Sequence, residues 1–205
     1  MEHQPHERED DRAGRSAAEQ PKPEAEHERR YRPRIYAADV ASAARGIQHG
    51  LWIDANQPAS DLDADIAAML ASSPVPGADT WAIRATKDFA GLDLTDVTDT
   101  ALLSRVASGI AEHGDAYVAW VRHVASSDKQ LSEFSDRYVG SYPSEEAWAR
   151  SLTESLGWDR QLDKAITDQL LRPYVVIDYQ AVAHDASASW YLAKDDDGTV
   201  HVFVR

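Results

Sequence analysis

Short apolar runs at both ends of the chain enclose a long middle stretch with helical period. Residues 34–40 read as a short strand, a small-residue loop covers residues 43–46, and residues 51–54 form a second strand candidate. Leu62, Ile66, Met69 and Leu70 then fall at i, i+4, i+7 and i+8, one apolar stripe of a helix. Asp61, Asp63 and Asp65 lie off that stripe at the helix start, where the positive end of the dipole tolerates carboxylates. The Ser-Pro-Val-Pro-Gly run at 73–77 ends the helix, and residues 80–84 return as a third strand closing a small sheet.

From Thr98 the helical period takes over. Leu102, Leu103, Val106 and Ile110 share one face, Gly114 breaks it, and Tyr117, Trp120, Val121 and Val124 form the next. Leu131, Phe134 and Tyr138 make a third stripe, ended by Gly140, so a small helical bundle is predicted here. Ser144 is placed to cap a helix carrying Trp148, Leu152 and Leu156. A further helix is expected over 160–171, and a short one capped by Asp178. Strands at 189–192 and 199–205 close the chain through an Asp-Gly hairpin turn. The expected class is α+β. Its expected divisions are a disordered tail at 1–33, an α+β domain at 34–97, a helical domain at 98–139 and an α+β domain at 140–205.

Composition narrows the chemistry. The 205 residues include six Trp, eight Tyr and no Cys, which excludes disulfide scaffolds, thiol nucleophiles, cysteine zinc sites and iron–sulfur clusters. Residues 1–34 hold nine acids against eight bases with no apolar period, and the first 33 or so read as a solvated polyampholyte tail. That tail lacks the apolar core of a secretory signal and is too acidic for a transit peptide, and no stretch approaches the ~20 apolar residues of a membrane span, so a cytoplasmic location is expected. Residues 35–205 carry 26 Asp and Glu against 13 Lys and Arg.

Motif by motif, catalysis finds no support. Asp195-Asp196-Asp197-Gly198 opens like a calcium loop but lacks the Glu at its twelfth position, and the hairpin turn is the better reading. His49, His113, His123, His184 and His201 show no metal-ligand spacing, and no nucleophile elbow, dinucleotide fingerprint or phosphate loop occurs. Acid pairs such as Asp61/Asp65 and Asp159/Asp163 sit at i, i+4, where each pair costs about 0.2–0.5 kcal/mol. Any one pair is an ordinary solvated face. The aggregate excess of thirteen is not, because solubility of a small domain needs a net charge of only ~2–8, and a larger excess repels itself. A cationic partner is expected.

Spaced blocks of sequence sharpen this. Pro33-Arg34-Ile35-Tyr36-Ala37-Ala38-Asp39, Gly50-Leu51-Trp52-Ile53-Asp54 and Phe89-Ala90-Gly91-Leu92 are followed by Glu112-His113-Gly114-Asp115-Ala116-Tyr117, Phe134-Ser135-Asp136-Arg137-Tyr138 and Ile177-Asp178-Tyr179-Gln180. In order and position these resemble the ArdA antirestriction family over residues 33–205, departing in the N-terminal tail and at Ala183-His184-Asp185. The resemblance implies three small domains in an elongated protomer, a homodimer formed through the C-terminal domain, and carriage on conjugative plasmids, transposons or phages. It implies an acidic DNA mimic that occupies the DNA groove of Type I restriction-modification enzymes and blocks restriction, often modification too, with the methyltransferase core as partner. Neither nucleic acid, membrane, cofactor, metal nor catalytic residue enters that reading.

On this resemblance the mimic surface comprises Asp61, Asp63, Asp65, Asp79, Asp88, Asp93, Asp96, Asp99, Glu112, Asp115, Glu133, Asp136, Glu145, Glu146, Glu154, Asp159 and Asp163. The family's antirestriction motif falls near Leu152, Leu156, Trp158, Leu162 and Ile166, close to the dimer contact. B-DNA carries one charge per ~1.7 Å of axis, so a dimer with this excess matches the phosphates of roughly 13 base pairs. Two other classes remain open: an acidic chaperone or adaptor for another basic nucleic-acid-binding protein, and a carboxylate-dependent hydrolase that would show metal- or pH-dependent turnover.

Overall fold

A computed structural model of the protein describes residues 31–125 and 127–205. The predicted tail lies, apart from its last three residues, outside the described residues. The class is α+β: among the described residues, nine helices accompany two three-stranded antiparallel sheets.

The first sheet has β1 (Arg34–Asp39) between β2 (Gly50–Asp54) and β3 (Trp81–Lys87). The strand expected to reach Val40 ends at Asp39, which starts a one-turn helix, α1 (Val40–Ala43), ahead of the small-residue loop. Helix α2 (Ala59–Ala71) covers one face, burying Leu62, Ile66 and Met69 against Ile35, Ile53 and Ile83. Each fully buried aliphatic side chain contributes about 1.5–3 kcal/mol over its exposed state.

Asp39 fixes the corner where β1, α1 and the end of α2 meet. Its enclosed carboxylate accepts the Ala41 N–H at 2.9 Å and the Ser42 and Ser73 hydroxyls at 2.5 Å each. The Ser42 and then the Ser73 hydrogen bonds favour the ionised form, lowering its pKa from 3.8 to about 2 against the opposing effect of burial. A depressed carboxylate contributes stability that is complete above its ordinary pKa and is lost as pH falls from about 4 towards 2. Asp39→Asn should remove that acid-labile component from a pH series of thermal melts. Asp39→Ala, which strands two hydroxyls and a cap N–H, should lower Tm by roughly 5 °C or more at neutral pH. Unchanged melts would show that the corner holds itself without the carboxylate.

Asp99 starts α3 (Thr100–His113) by accepting the Ala101 and Leu102 N–H groups. Gly114, at φ +59°, turns the chain into α4 (Asp115–His123). The Tyr117 ring lies where a Cβ on Gly109 would stand, so the two helices close on each other only because residue 109 lacks a side chain. Short helices α5 (Asp128–Ser132) and α6 (Phe134–Arg137) follow. One buried cluster runs from the first sheet through Val106, Ile110 and Trp120 to Phe134 and Phe203.

The third predicted stripe is only partly helical. At Tyr138 the backbone turns extended (φ −72°, ψ 124°), and β4 (Tyr138–Tyr142) pairs with the chain's last strand. Helix α7 (Glu145–Ser155) has the predicted Ser144 cap, accepting the Ala147 N–H at 3.1 Å. The helix expected over 160–171 is instead α8 (Trp158–Ala165). Its continuation fails because Ile166 is extended and Asp168 Oδ1 takes the Leu170 N–H at 2.8 Å, a local turn that competes with the helix. Beyond it, Arg172–Tyr174 forms a 3-10 turn containing Pro173. Asp178 caps α9 (Tyr179–Ala186) as predicted. The hairpin of β5 (Trp190–Lys194) and β6 (Val200–Val204) then completes the second sheet, order β4-β6-β5, with Gly198 at φ +94° in the turn. Trp148, Ala149, Ala183, Val200 and Val202 form a second buried cluster.

Candidate functional surface

The seventeen carboxylates singled out in the sequence are all at the surface: Asp65, Asp88 and Glu133 are half-buried and the rest exposed. Among the described residues, only Glu133 (with Arg137 at 2.9 Å and Lys129 at 4.0 Å) and Asp163 (with Arg172 at 2.7 Å) meet an Arg or Lys, while Glu112 lies 3.7 Å from His113. The other carboxylates have no Lys or Arg partner among the described residues, and several of them accept hydrogen bonds from neutral groups. That is the electrostatic condition for meeting an external cation.

Tertiary packing gathers some of these acids. The Thr100 hydroxyl donates to Asp63 Oδ1 at 2.8 Å, bringing the start of α2, with Asp61 and Asp65, beside the start of α3 and its cap Asp99. Asp65 itself accepts from Gln57 Nε2 at 2.9 Å. In the loop before α3, Asp93 accepts the Thr95 hydroxyl at 2.6 Å and its N–H at 3.0 Å, which holds its pKa below the usual carboxylate value. Glu112 and Asp115 flank Gly114, and Asp115 accepts the Tyr31 hydroxyl at 2.5 Å. Glu145 and Glu146 occupy the first turn of α7, where the helix dipole favours them, and Glu146 accepts from Gln180 at 2.7 Å. Glu154, Asp159 and Asp163 follow on α7 and α8. Among the described residues, no hydrogen bond or ion pair ties Asp79, Asp88, Asp96 or Asp136 to these groups.

Sequence reasoning missed two members. Asp195 and Asp197 line the same concavity of about 480 Å³ as Glu112 and Asp115, together with Tyr31 and His201. Thr199 bonds to Asp197 hold its pKa below the ordinary value. The three-aspartate run was visible, but read as a turn it gave no indication of its neighbour across the fold. In this corner His201, buried in the central strand, meets Asp195 Oδ2 through Nε2 at 2.7 Å and the Ser141 hydroxyl through Nδ1 at 2.6 Å. Ser141 in turn meets the Tyr138 hydroxyl at 2.7 Å. This chain of bonds ties β4, β6 and the hairpin turn together.

An apolar region adjoins the acids of α7 and α8. Leu152, Leu162 and Ile166 are half-buried, and Leu156 and Trp158 are exposed. Beyond α8, Leu170, Tyr174 and Val176 are 84%, 82% and 80% exposed. Trp158, Leu162, Val176 and Val182 line a shallow groove of about 430 Å³. Trp190 packs edge-on against Trp148, at 5.9 Å between centroids. Trp158, at the first turn of α8, is exposed instead, and so are Tyr174 and Val176, which lie beyond the point where the chain leaves the helix at Ile166.

The model of the Antirestriction protein (ArdA) family matches residues 35–201, most of the chain. This chain belongs to the ArdA family. The match starts at β1 and ends within β6, so it takes in both sheets and all the helices between them. ArdA membership implies an antirestriction function and a relation to restriction enzymes, and it is membership of an inhibitor family rather than an enzyme family. No curated protein matches the chain. Among the described residues, no helix is long and apolar enough to cross a membrane.

Proposed function

We propose that the protein is a DNA-mimic inhibitor that occupies the DNA groove of Type I restriction-modification enzymes in the cytoplasm, blocking restriction and often modification. The observation that carries this reading is the ArdA match joined to a folded body with thirteen excess negative charges, most of whose carboxylates have no basic partner among the described residues. Lys and Arg that normally grip phosphates would meet carboxylates instead. No bond is made or broken, and inhibition is competitive occupancy of the methyltransferase core.

Three small domains, divided near residues 97 and 139, would string the charges along a rod. Two protomers would join through the C-terminal part, using the exposed apolar groups after α8 and the region of Leu152 to Ile166. Their exposure supports this, since a protomer alone leaves Leu170, Tyr174 and Val176 in water.

The test is phage plating. Expressed in a host with a Type I system, the chain should restore plating of unmodified phage towards the level of a non-restricting host. Unchanged plating at good soluble expression, across several Type I families, would refute the reading.

A further inference from the structure

Helix α2 covers one face of the first sheet, and its other face carries a different chemistry from the rest of this acidic surface. On that face Tyr36 and Trp52 are direct cross-strand partners with ring centroids 5.6 Å apart, and Trp52 is 40% exposed. Arg34 lies on the same face, its guanidinium 5.9 Å from the Trp52 ring centre and its Nη2 donating to the Trp52 carbonyl at 3.4 Å. Across the other strand pair Arg34 faces Lys87 in register, although like charges directly opposite each other destabilise a sheet. Neither forms an ion pair with a carboxylate among the described residues. Arg32 joins them, and the three cations and Trp52 line one concavity of about 510 Å³.

Two carboxylates share that concavity. Asp54 is engaged by the Asn56 N–H at 2.9 Å. Asp88 follows Lys87 with φ at +59°, in the left-handed region that a non-glycine side chain disfavours, and Ala90 repeats this at +46°. Such backbone strain is retained where the surrounding structure holds a loop in one shape, and it clusters at ligand sites.

We propose that this corner binds a free nucleoside polyphosphate, with the base stacked on Trp52 and the phosphates held by Arg32, Arg34 and Lys87. An exposed aromatic face takes a planar base, and arginine forks pair with phosphate oxygens. The volume is that of a small-ligand pocket, ~300–1,000 Å³. A nucleic-acid strand fits less well, for two reasons. Its phosphates come in a row, whereas these cations converge on a single hollow. A long polyanion would also meet the excess of thirteen negative charges on the body, whereas a ligand confined to the hollow is shielded from most of them by a Debye length of about 8 Å. The inference is independent of the antirestriction reading, and its readout is a binding constant.

The experiment is fluorescence anisotropy of a ribose-labelled ATP analogue with the full chain, competed by ATP, tripolyphosphate, adenosine and a short oligothymidylate. Saturable binding with Kd below about 1 mM is expected, with tripolyphosphate and adenosine each competing at least ~tenfold more weakly than ATP. Trp52→Ala, Arg34→Glu and Lys87→Glu should each weaken binding by about tenfold or more while leaving circular dichroism unchanged, since all three side chains are exposed. Absence of saturable binding below about 1 mM, or folded variants that bind like the parent, would overturn the proposal. An oligonucleotide that displaces the probe at lower concentration than ATP would overturn it in favour of a single strand.

Discussion

Converting Asp61, Asp63 and Asp65 to Asn together with Glu145 and Glu146 to Gln should weaken inhibition about a hundredfold or more, with either cluster alone giving a partial loss. Exposed ion pairs are worth roughly 0.2–1 kcal/mol each, and pairs desolvated in an interface are worth more. Five at about 0.5–1 kcal/mol sum to ~2.5–5 kcal/mol, and each 1.4 kcal/mol is about tenfold in affinity. The fold should tolerate the change. An Asn carbonyl still accepts from Thr100 and Gln57, and a Gln carbonyl still accepts from Gln180, so the bonds made by Asp63, Asp65 and Glu146 survive without the charge. Titration against a methyltransferase core, beside plating efficiency, gives the measurement. A single substitution that abolishes inhibition in a folded dimer would instead locate a discrete site.

The second large effect is on assembly. At micromolar concentration the parent chain should sediment as a dimer, elongated for its mass. Tyr174→Asp with Val176→Asp should shift it to monomer, weakening self-association by more than about a hundredfold, because an unpaired charge placed in a closing apolar contact costs several kcal/mol. Both side chains stand in solvent in the protomer, so the variant's fold should be unaffected. A parent that runs as a compact monomer, or a variant that stays dimeric, would contradict the proposed contact.

Several sequence signals match the structure because one segment decides its own conformation. The Leu62/Ile66/Met69 stripe, the break at Gly114, the Ser144 and Asp178 caps and the Asp-Gly hairpin all carry their cause within a few residues. The exceptions lie where a distant partner decides, or where a polar side chain competes with an apolar period. Tyr138 continues a helical spacing, yet strand β6, some sixty residues later, captures it into a sheet. Ile166 to Leu171 keeps apolar residues at helical intervals, while the Asp168 side chain redirects the backbone. The same division holds for the surface. That the body is acidic could be counted, but the proximity of Asp195 and Asp197 to Glu112 and Asp115, or of Arg34 to Lys87, depends on which strands and helices meet.

Competitive mimicry itself is tested most directly by titrating the complex of this chain with a Type I methyltransferase core from about 50 to 500 mM salt, with and without duplex DNA. Carboxylates standing in for phosphates predict that affinity falls as salt rises, less steeply than for DNA because a protein surface releases no comparable layer of condensed counterions. They predict equally that duplex DNA displaces the protein. Salt-independent binding, or a ternary complex holding enzyme, DNA and this chain together, would contradict the mechanism.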